Sequence, residues 1–443
     1  MRALRTVLLT LVAIGLLAAA VFGIREVKKR ASRPATDDVA RKNPAAATGP
    51  RATLADRRIQ AAQRMIEQSQ MKPDGYNLLS DAYMQKARET GDFGFNARAE
   101  AALNQSSQIA ADDHDALKLR AKLLLTYHRF GEALEAARRA QTQRPDDPGV
   151  YGALTDALVE LGDYEAAVDA AQKMVDLRPD AEAYARVSYL RALHGDTEGA
   201  IEAMIVAAKA ANPRDPESVA WCRVQLGDEL MNIGRMDVAE REYDKALVVF
   251  PDYHLALAAK GRARVAAGDI ERAIEFYKRA TTRVPSPETA IALGDLYTKL
   301  GRADEAKQQY DLFEFIERGG AAGSNTYSRQ LALFWADRGV KLDEALQIAR
   351  RERAARRDIY TSDALAWCLF KNGQLTEAKA VMDEALRLGT RDARLFYHAG
   401  MIADALGERR DAVKYLKLAV EINPSFDVLQ ADVARRTLNS INA

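Results

Sequence analysis

The chain has 443 residues, 48% of them apolar and only 7% aromatic, and 64 Lys and Arg nearly cancel 63 Asp and Glu to leave a formal net charge of +1. The N-terminal stretch up to Arg33 carries seven basic side chains against Glu26 alone, so the remainder is weakly acidic. That distribution argues against a phosphate-binding surface and excludes nucleic acid as the expected partner.

Residues 1–5 form a short basic tail, and residues 6–24 (Thr6 to Ile24) follow without a single charge, long enough to cross the hydrocarbon core of a bilayer. Two readings of 6–24 stand side by side: an uncleaved transmembrane anchor, or a secretory signal cut near the small residues Ala18 to Ala20. The anchor is the expected reading, with membrane association through this one segment and the body on the extracytoplasmic side. Five Lys and Arg after the segment against two before it argue for the cytoplasmic side instead. Residues 25–53 begin basic and then mix Pro, Ala, Gly and charge without an apolar period, as a flexible tether does. Residues 54–113 read as divergent capping helices, the first with Ile59, Ala62, Met65 and Ile66 on one stripe and then a helical pair over 75–111.

From 114 to 425 one period recurs nine times. Its marker is a ladder of alanines: Ala133, Ala167, Ala200, Ala239, Ala273, Ala306, Ala345, Ala378 and Ala412. The spacing is nearly constant and widens twice by one small insertion, between Ala200 and Ala239 and between Ala306 and Ala345. Seven of these alanines have a glycine five positions upstream, such as Gly162 and Gly195, and five have a proline twelve positions downstream, such as Pro179 and Pro251. A period of this size marks a stacked solenoid. Within one unit, Tyr151, Leu154, Leu158 and Leu161 predict an amphipathic helix, Gly162 ends it, and Tyr164, Ala167, Val168, Ala171 and Val175 predict a second. Each unit is therefore a helical hairpin that must stack to bury its faces. Residues 426–443 supply a C-terminal capping helix.

These residues resemble the tetratricopeptide repeat (TPR) family. The bulky and small positions of its first helix are similar to Leu226-Gly227 and Leu293-Gly294. Its second-helix aromatic and alanine are similar to Tyr243 and Ala246, and its closing proline to Pro251 or Pro285. The resemblance implies an all-α, right-handed α-α superhelical solenoid that binds proteins or peptides in a concave groove, as in a bacterial membrane-anchored or exported protein of this family. The repeat headed by Tyr327 departs most, with Val340 in the glycine slot and Arg357 in the proline slot.

Five histidines fall in separate repeats with no HExxH or His-x3-His pair, and no Cys-x2-Cys occurs, so no metal, no cofactor and no catalytic residue is expected. Cys222 and Cys368 read as small buried apolar residues, and Gly319 to Gly323 as a flexible spacer between helices. In the TPR arrangement the groove is lined from the first helices, which implies Lys118, Lys122 and Asp156 early on. Tyr189, Trp221, Asp228, Met231, Arg262 and Asp295 follow, then Tyr327, Phe334, Tyr360, Trp367, Phe370, Tyr397 and Met401. The later aromatics either pack between helices or form an apolar trough for a peptide or helix. Chaperone-type carboxylate recognition is not reproduced, because Gly152 and Ala153 occupy slots where that pattern needs polar side chains. The function read from the chain is a non-enzymatic, membrane-tethered scaffold. The alternatives are an exported soluble assembly factor or an enzyme or transport component with a cryptic site, and self-association through Ala-rich outer faces stays open.

Overall fold

The computed structural model describes residues 52–324 and 329–442, which form 22 α-helices and no strand. Helix α1 (Leu54–Gln68) lies on a hairpin of α2 (Pro73–Thr90) and α3 (Gly94–Ile109). Nine further hairpins run from α4 (His114–Thr126) to α21 (Arg409–Ile422), and α22 (Gln430–Asn442) closes the stack. The architecture is an all-α, right-handed superhelical solenoid in which consecutive helix pairs pack on one another.

Local chemistry explains each hairpin. In α6 (Pro148–Glu160), Asp147 caps the first turn by accepting the Gly149 N–H at 2.8 Å, and Pro148 occupies the position where no N–H is needed. Gly162, at φ 79°, turns the chain out of the helix, and Asp163 then caps α7 (Tyr164–Leu177). Ala167, fully buried, lets the two helices approach closely. The partner slot on the first helix is equally tight: a Cβ on Gly261 would stand 2.8 Å from the Tyr277 ring, and one on Gly227 would overlap Tyr243.

The seventh hairpin breaks the pattern. Its glycine comes one residue early, at Gly339 (φ 65°), and Lys341 takes up the extra residue at φ 47° before α17 (Leu342–Ala355). The expected spacer at Gly319 to Gly323 is instead helical, because α15 runs unbroken from Ala303 to Ser324. Glycine weakens a helix but does not end one unless the backbone must turn left-handed, and Ala321 and Ala322 sustain the run. The insertion between Ala200 and Ala239 also goes into helix. Helices α4 and α6 start at His114 and Pro148, at the same offset before Ala133 and Ala167. Helix α10 (Pro216–Asn232) starts earlier relative to Ala239 and gains one N-terminal turn.

The stack comes round far enough to touch itself. Residues 195–197 apart in sequence, just under six repeats, are bonded partners. Arg357 donates its backbone N–H to Glu160 O at 3.0 Å, and Tyr164 Oη accepts the Ile359 N–H at 2.9 Å. Thr390 Oγ1 donates to Leu193 O. Arg356 is held between Glu160 of the earlier turn and Asp358, all three buried, and lies 4.9 Å over the Phe130 ring. Burial raises the Asp358 carboxyl, but Arg356 and Arg329 more than offset that and hold it below the usual range. Two of the four positions that lack the repeat proline, 357 and 390, donate across the turns, and a proline at 357 has no N–H to give. Facing them are Gly162 and Gly195, where a Cβ would stand 2.5 Å from Arg357 O and from Gly389 O respectively.

The expected membrane location is corrected. Among the described residues no helix is long and apolar enough to cross a membrane. The 6–24 segment on which that expectation rested lies outside the described residues, as do the 1–5 tail and the tether up to residue 51.

Candidate functional site

The inner face of the first superhelical turn encloses a cavity of about 340 Å3. Successive inner helices each contribute to it: Arg58 from α1, Gln85 and Arg88 from α2, Lys122 from α4, Asp156 from α6, Glu182 and Arg186 from α8 (Ala181–Leu193), and Glu217 and Trp221 from α10. Most of its charges are matched. Arg186 grips Asp156 with two bonds of 2.8 and 2.7 Å, both residues being buried. Arg58 pairs with Asp81 and donates to Gln85 Oε1 at 2.8 Å. Arg88 reaches across to Glu217 at 3.4 Å, which also accepts the Tyr253 hydroxyl at 3.2 Å. Burial raises the carboxyls of Asp156 and Glu217. Glu217 belongs to the extra turn of α10, so the insertion after Ala200 supplies the side chain that closes this cavity.

A smaller cavity of about 130 Å3 adjoins it, lined in part by Asp228, Arg262, His254 and Glu288. Arg262 pairs with Asp228 at 2.6 Å, and Tyr243 donates its hydroxyl to the same carboxylate at 2.7 Å. Arg262 and Asp228 keep solvent access, whereas Met231 is buried with its sulfur 3.7 Å from the Tyr243 hydroxyl. Burial lowers His254 to about 4, so it is neutral at ordinary pH.

The aromatic positions of the later repeats do not form an open trough. Trp367 is 1% exposed, stacked between His398 at 4.1 Å and Phe370 at 4.9 Å, and donates its indole N–H to Asp337 at 2.8 Å. Tyr397 is equally buried and donates to Gln430 at 2.6 Å. Phe334 packs on Phe313 at 4.4 Å beneath the Arg338 guanidinium, which pairs with buried Asp295. Burial pushes Asp295 up to about 6, with Arg338 opposing. Only Tyr189, Trp221, Tyr360, Phe370 and Met401 remain half-buried among the expected apolar groove residues, and Tyr327 lies outside the described residues. Large rings in a tightly wound stack bury more apolar area between helices than they would along a solvated bore.

Sequence reading missed Arg58, Gln85, Arg88 and Glu217. Arg88 and Glu217 lie almost four repeats apart along the chain, a separation no single repeat reveals, though the inserted residues before Trp221 flagged that place.

Among the described residues one cluster has ligand-like composition: His114, Asp115 and Asp147. Lys118 Nζ sits among them, 2.8 Å from Asp115 and 2.6 Å from Asp147, while His114 Nε2 is 2.8 Å from Asp147. An ammonium group already supplies the positive charge that a metal would bring, so the set reads as an ion-pair cluster. Cys222 and Cys368 are both buried and unbonded to each other, and burial pushes each thiol up to about 12.

Comparison with known proteins gives one consistent family. Three sequence profiles, each described as tetratricopeptide repeat, match residues 224–287, residues 124–193, and residues 287–312 with 393–426. The chain is 25% identical over 240 residues to anaphase-promoting complex subunit 3 of Schizosaccharomyces pombe, covering 52% of this chain and 36% of that protein, so it spans about a third of that relative. Among solved structures it is similar to a tetratricopeptide repeat protein from Parabacteroides merdae, with a TM-score of 0.34, 20% identity, and coverage of 59% of this chain and 99% of that one. It is similar also to the APC/C hetero-tetramer Cut9-Hcn1, with a TM-score of 0.32, 14% identity, and coverage of 86% and 92%. The buried alanine ladder, the left-handed glycines and the matched profiles agree: the matched stretches of this chain are tetratricopeptide repeats.

Proposed function

We propose that this protein is a non-enzymatic scaffold that holds partner proteins along the inner face of its solenoid. Tetratricopeptide repeats in general serve protein interaction rather than catalysis, and the curated relative is by name a subunit of a multiprotein complex. The observation that carries the reading is the solvent-accessible polar lining of the inner helices: Arg88, Glu182, Arg262 and Arg394 stay exposed while the aromatics of the expected groove are buried or half-buried. Recognition by such a face works through hydrogen bonds and charge of both signs, with little apolar anchoring.

The test removes an accessible inner pair without orphaning a charge. Arg262→Ala with Asp228→Ala is compared with Lys307→Ala and Asp311→Ala, an exposed pair on α15. Proteins cross-linked to the native chain in cells are identified by mass spectrometry. The inner double variant should lose captured partners that the α15 variant keeps, with circular dichroism unchanged in both. Retention of every partner by the inner variant would remove the inner face from the interaction.

A further inference from the structure

The larger inner cavity holds two kinds of unsatisfied group. Gln85 is 1% exposed, its Oε1 accepts from Arg58, and its Nε2 has no partner. Trp221 Nε1 is likewise buried without an acceptor. Buried N–H groups are rarely left empty, so two on one cavity wall point to an occupant bearing acceptors.

The charges narrow the occupant further. Arg58, Arg88 and Arg186 are each paired with a carboxylate of the cavity, and Glu160 is paired with Arg356. Asp215 also lines the cavity but caps α10 by accepting the Ser218 N–H, which leaves Lys122 and Glu182, one of each sign, with no ion pair or side-chain hydrogen bond to any described residue. Each feels the other: the Lys122 ammonium is the main influence holding the Glu182 carboxyl below its usual range. An occupant with a single net charge would satisfy one and leave the other unmatched. One carrying both charges satisfies the pair without disturbing the balance around it. The volume of about 340 Å3 is room for about ten water molecules or one small organic molecule.

We propose that this cavity binds a free α-amino acid as its zwitterion, the carboxylate taken by Lys122 with the Gln85 and Trp221 N–H groups and the ammonium by Glu182. A chain terminus of a partner protein brings only one of the two charges. Acceptor-only anions such as inorganic phosphate leave Glu182 unmatched and meet its repulsion. The cavity opens on the inner face and shares Arg88 and Glu182 with it, but amino-acid binding is read on the purified chain and partner capture by cross-linking at Arg262 and Asp228, so failure of one leaves the other standing.

The experiment is calorimetric titration of the full chain with each free L-amino acid to millimolar concentration, with thermal unfolding as a second readout. At least one amino acid should bind and raise the unfolding temperature. Its N-acetyl and C-amide derivatives, and inorganic phosphate, should bind at least about tenfold more weakly, the loss of one hydrogen bond to a charged group. Lys122→Met and Glu182→Gln should each reduce affinity by about tenfold or more, and Trp221→Phe, which removes the N–H together with part of the ring but leaves both charges in place, by a smaller factor. Lys122 and Glu182 keep solvent access, so their variants should hold the native circular dichroism. Absence of binding by all the amino acids in both readouts, or equal affinity in the folded Lys122→Met and Glu182→Gln variants, would overturn the proposal. Equal binding of the N-acetyl derivative would overturn it too, by showing a carboxylate-only site.

Discussion

Replacing Gly162 by alanine tests whether the two superhelical turns are fastened to each other. Two costs add at this position. The backbone stands at φ 79°, where a side chain costs ~1–2 kcal/mol. The new Cβ would also lie 2.5 Å from Arg357 O and 3.0 Å from Arg357 C, so the turns must move apart. That movement weakens the Arg357 N–H bond to Glu160 O, worth ~1 kcal/mol, and strains the buried Arg356–Glu160 pair, whose complete separation costs ~3–5 kcal/mol. Gly268 supplies the control, because it has φ 75° and nothing within 4 Å of an added Cβ. Gly268→Ala should lose only the backbone share, ~1–2 kcal/mol, and Gly162→Ala about 3 kcal/mol or more. A stack of hairpins need not unfold in one step, so the assay pairs urea unfolding with hydrogen exchange at the Arg357 amide. Equal urea midpoints for the two variants, with Arg357 equally protected, would refute the fastening.

Arg357→Pro restores the residue that other repeats carry and should nevertheless destabilise by ~1 kcal/mol or more, because it deletes the N–H that crosses between turns; a rise in thermal unfolding temperature would contradict this. Glu352, 3% exposed, has its carboxyl raised from 4.5 to about 7, chiefly by burial and against the pull of Arg356. Below pH 4.5 it is neutral in folded and unfolded chains alike, and between there and pH 7 only the unfolded chain ionises, so stability falls as pH rises, by up to ~3 kcal/mol. Glu352→Gln should flatten that slope in urea titrations across this window, and an unchanged slope would place the titration elsewhere. Trp367→Ala should cost ~3–5 kcal/mol as a core deletion, read as a lowered urea midpoint, whatever happens to partner capture. Gly131→Ala, on an open helical position, should instead stabilise by ~0.5–1 kcal/mol.

The repeating unit could be read from the chain because its chemistry is local. A left-handed glycine, a capping aspartate and a buried alanine act within one hairpin, and each announces itself by residue type. The irregular seventh unit was legible from Val340 and Arg357, though its reason was not. That reason is Glu160, a partner almost six repeats back along the chain, which only the winding of the whole stack brings close. The aromatic positions failed for a related cause. The family pattern gives the direction in which Trp367 and Tyr397 leave their helices, but exposure depends on how tightly the bore is wound. Lys122 was placed on the inner face by its slot, whereas Gln85 and Arg88 belong to the divergent hairpin ahead of the repeats, where no marker alanine sets the slots. Glu217 was marked only by an interruption of the period.

Solenoids of this kind are usually pictured as modular, free to lengthen or shorten by whole units. The bond between Arg357 and Glu160 removes that freedom here. A hairpin added or lost anywhere between them would set the later residues against the wrong loop, and Glu160 would lose its arginine. The number of units in that interval is thereby fixed as firmly as the strand number of a closed barrel, and duplication of single hairpins, the ordinary route by which such arrays grow, is confined to the two ends.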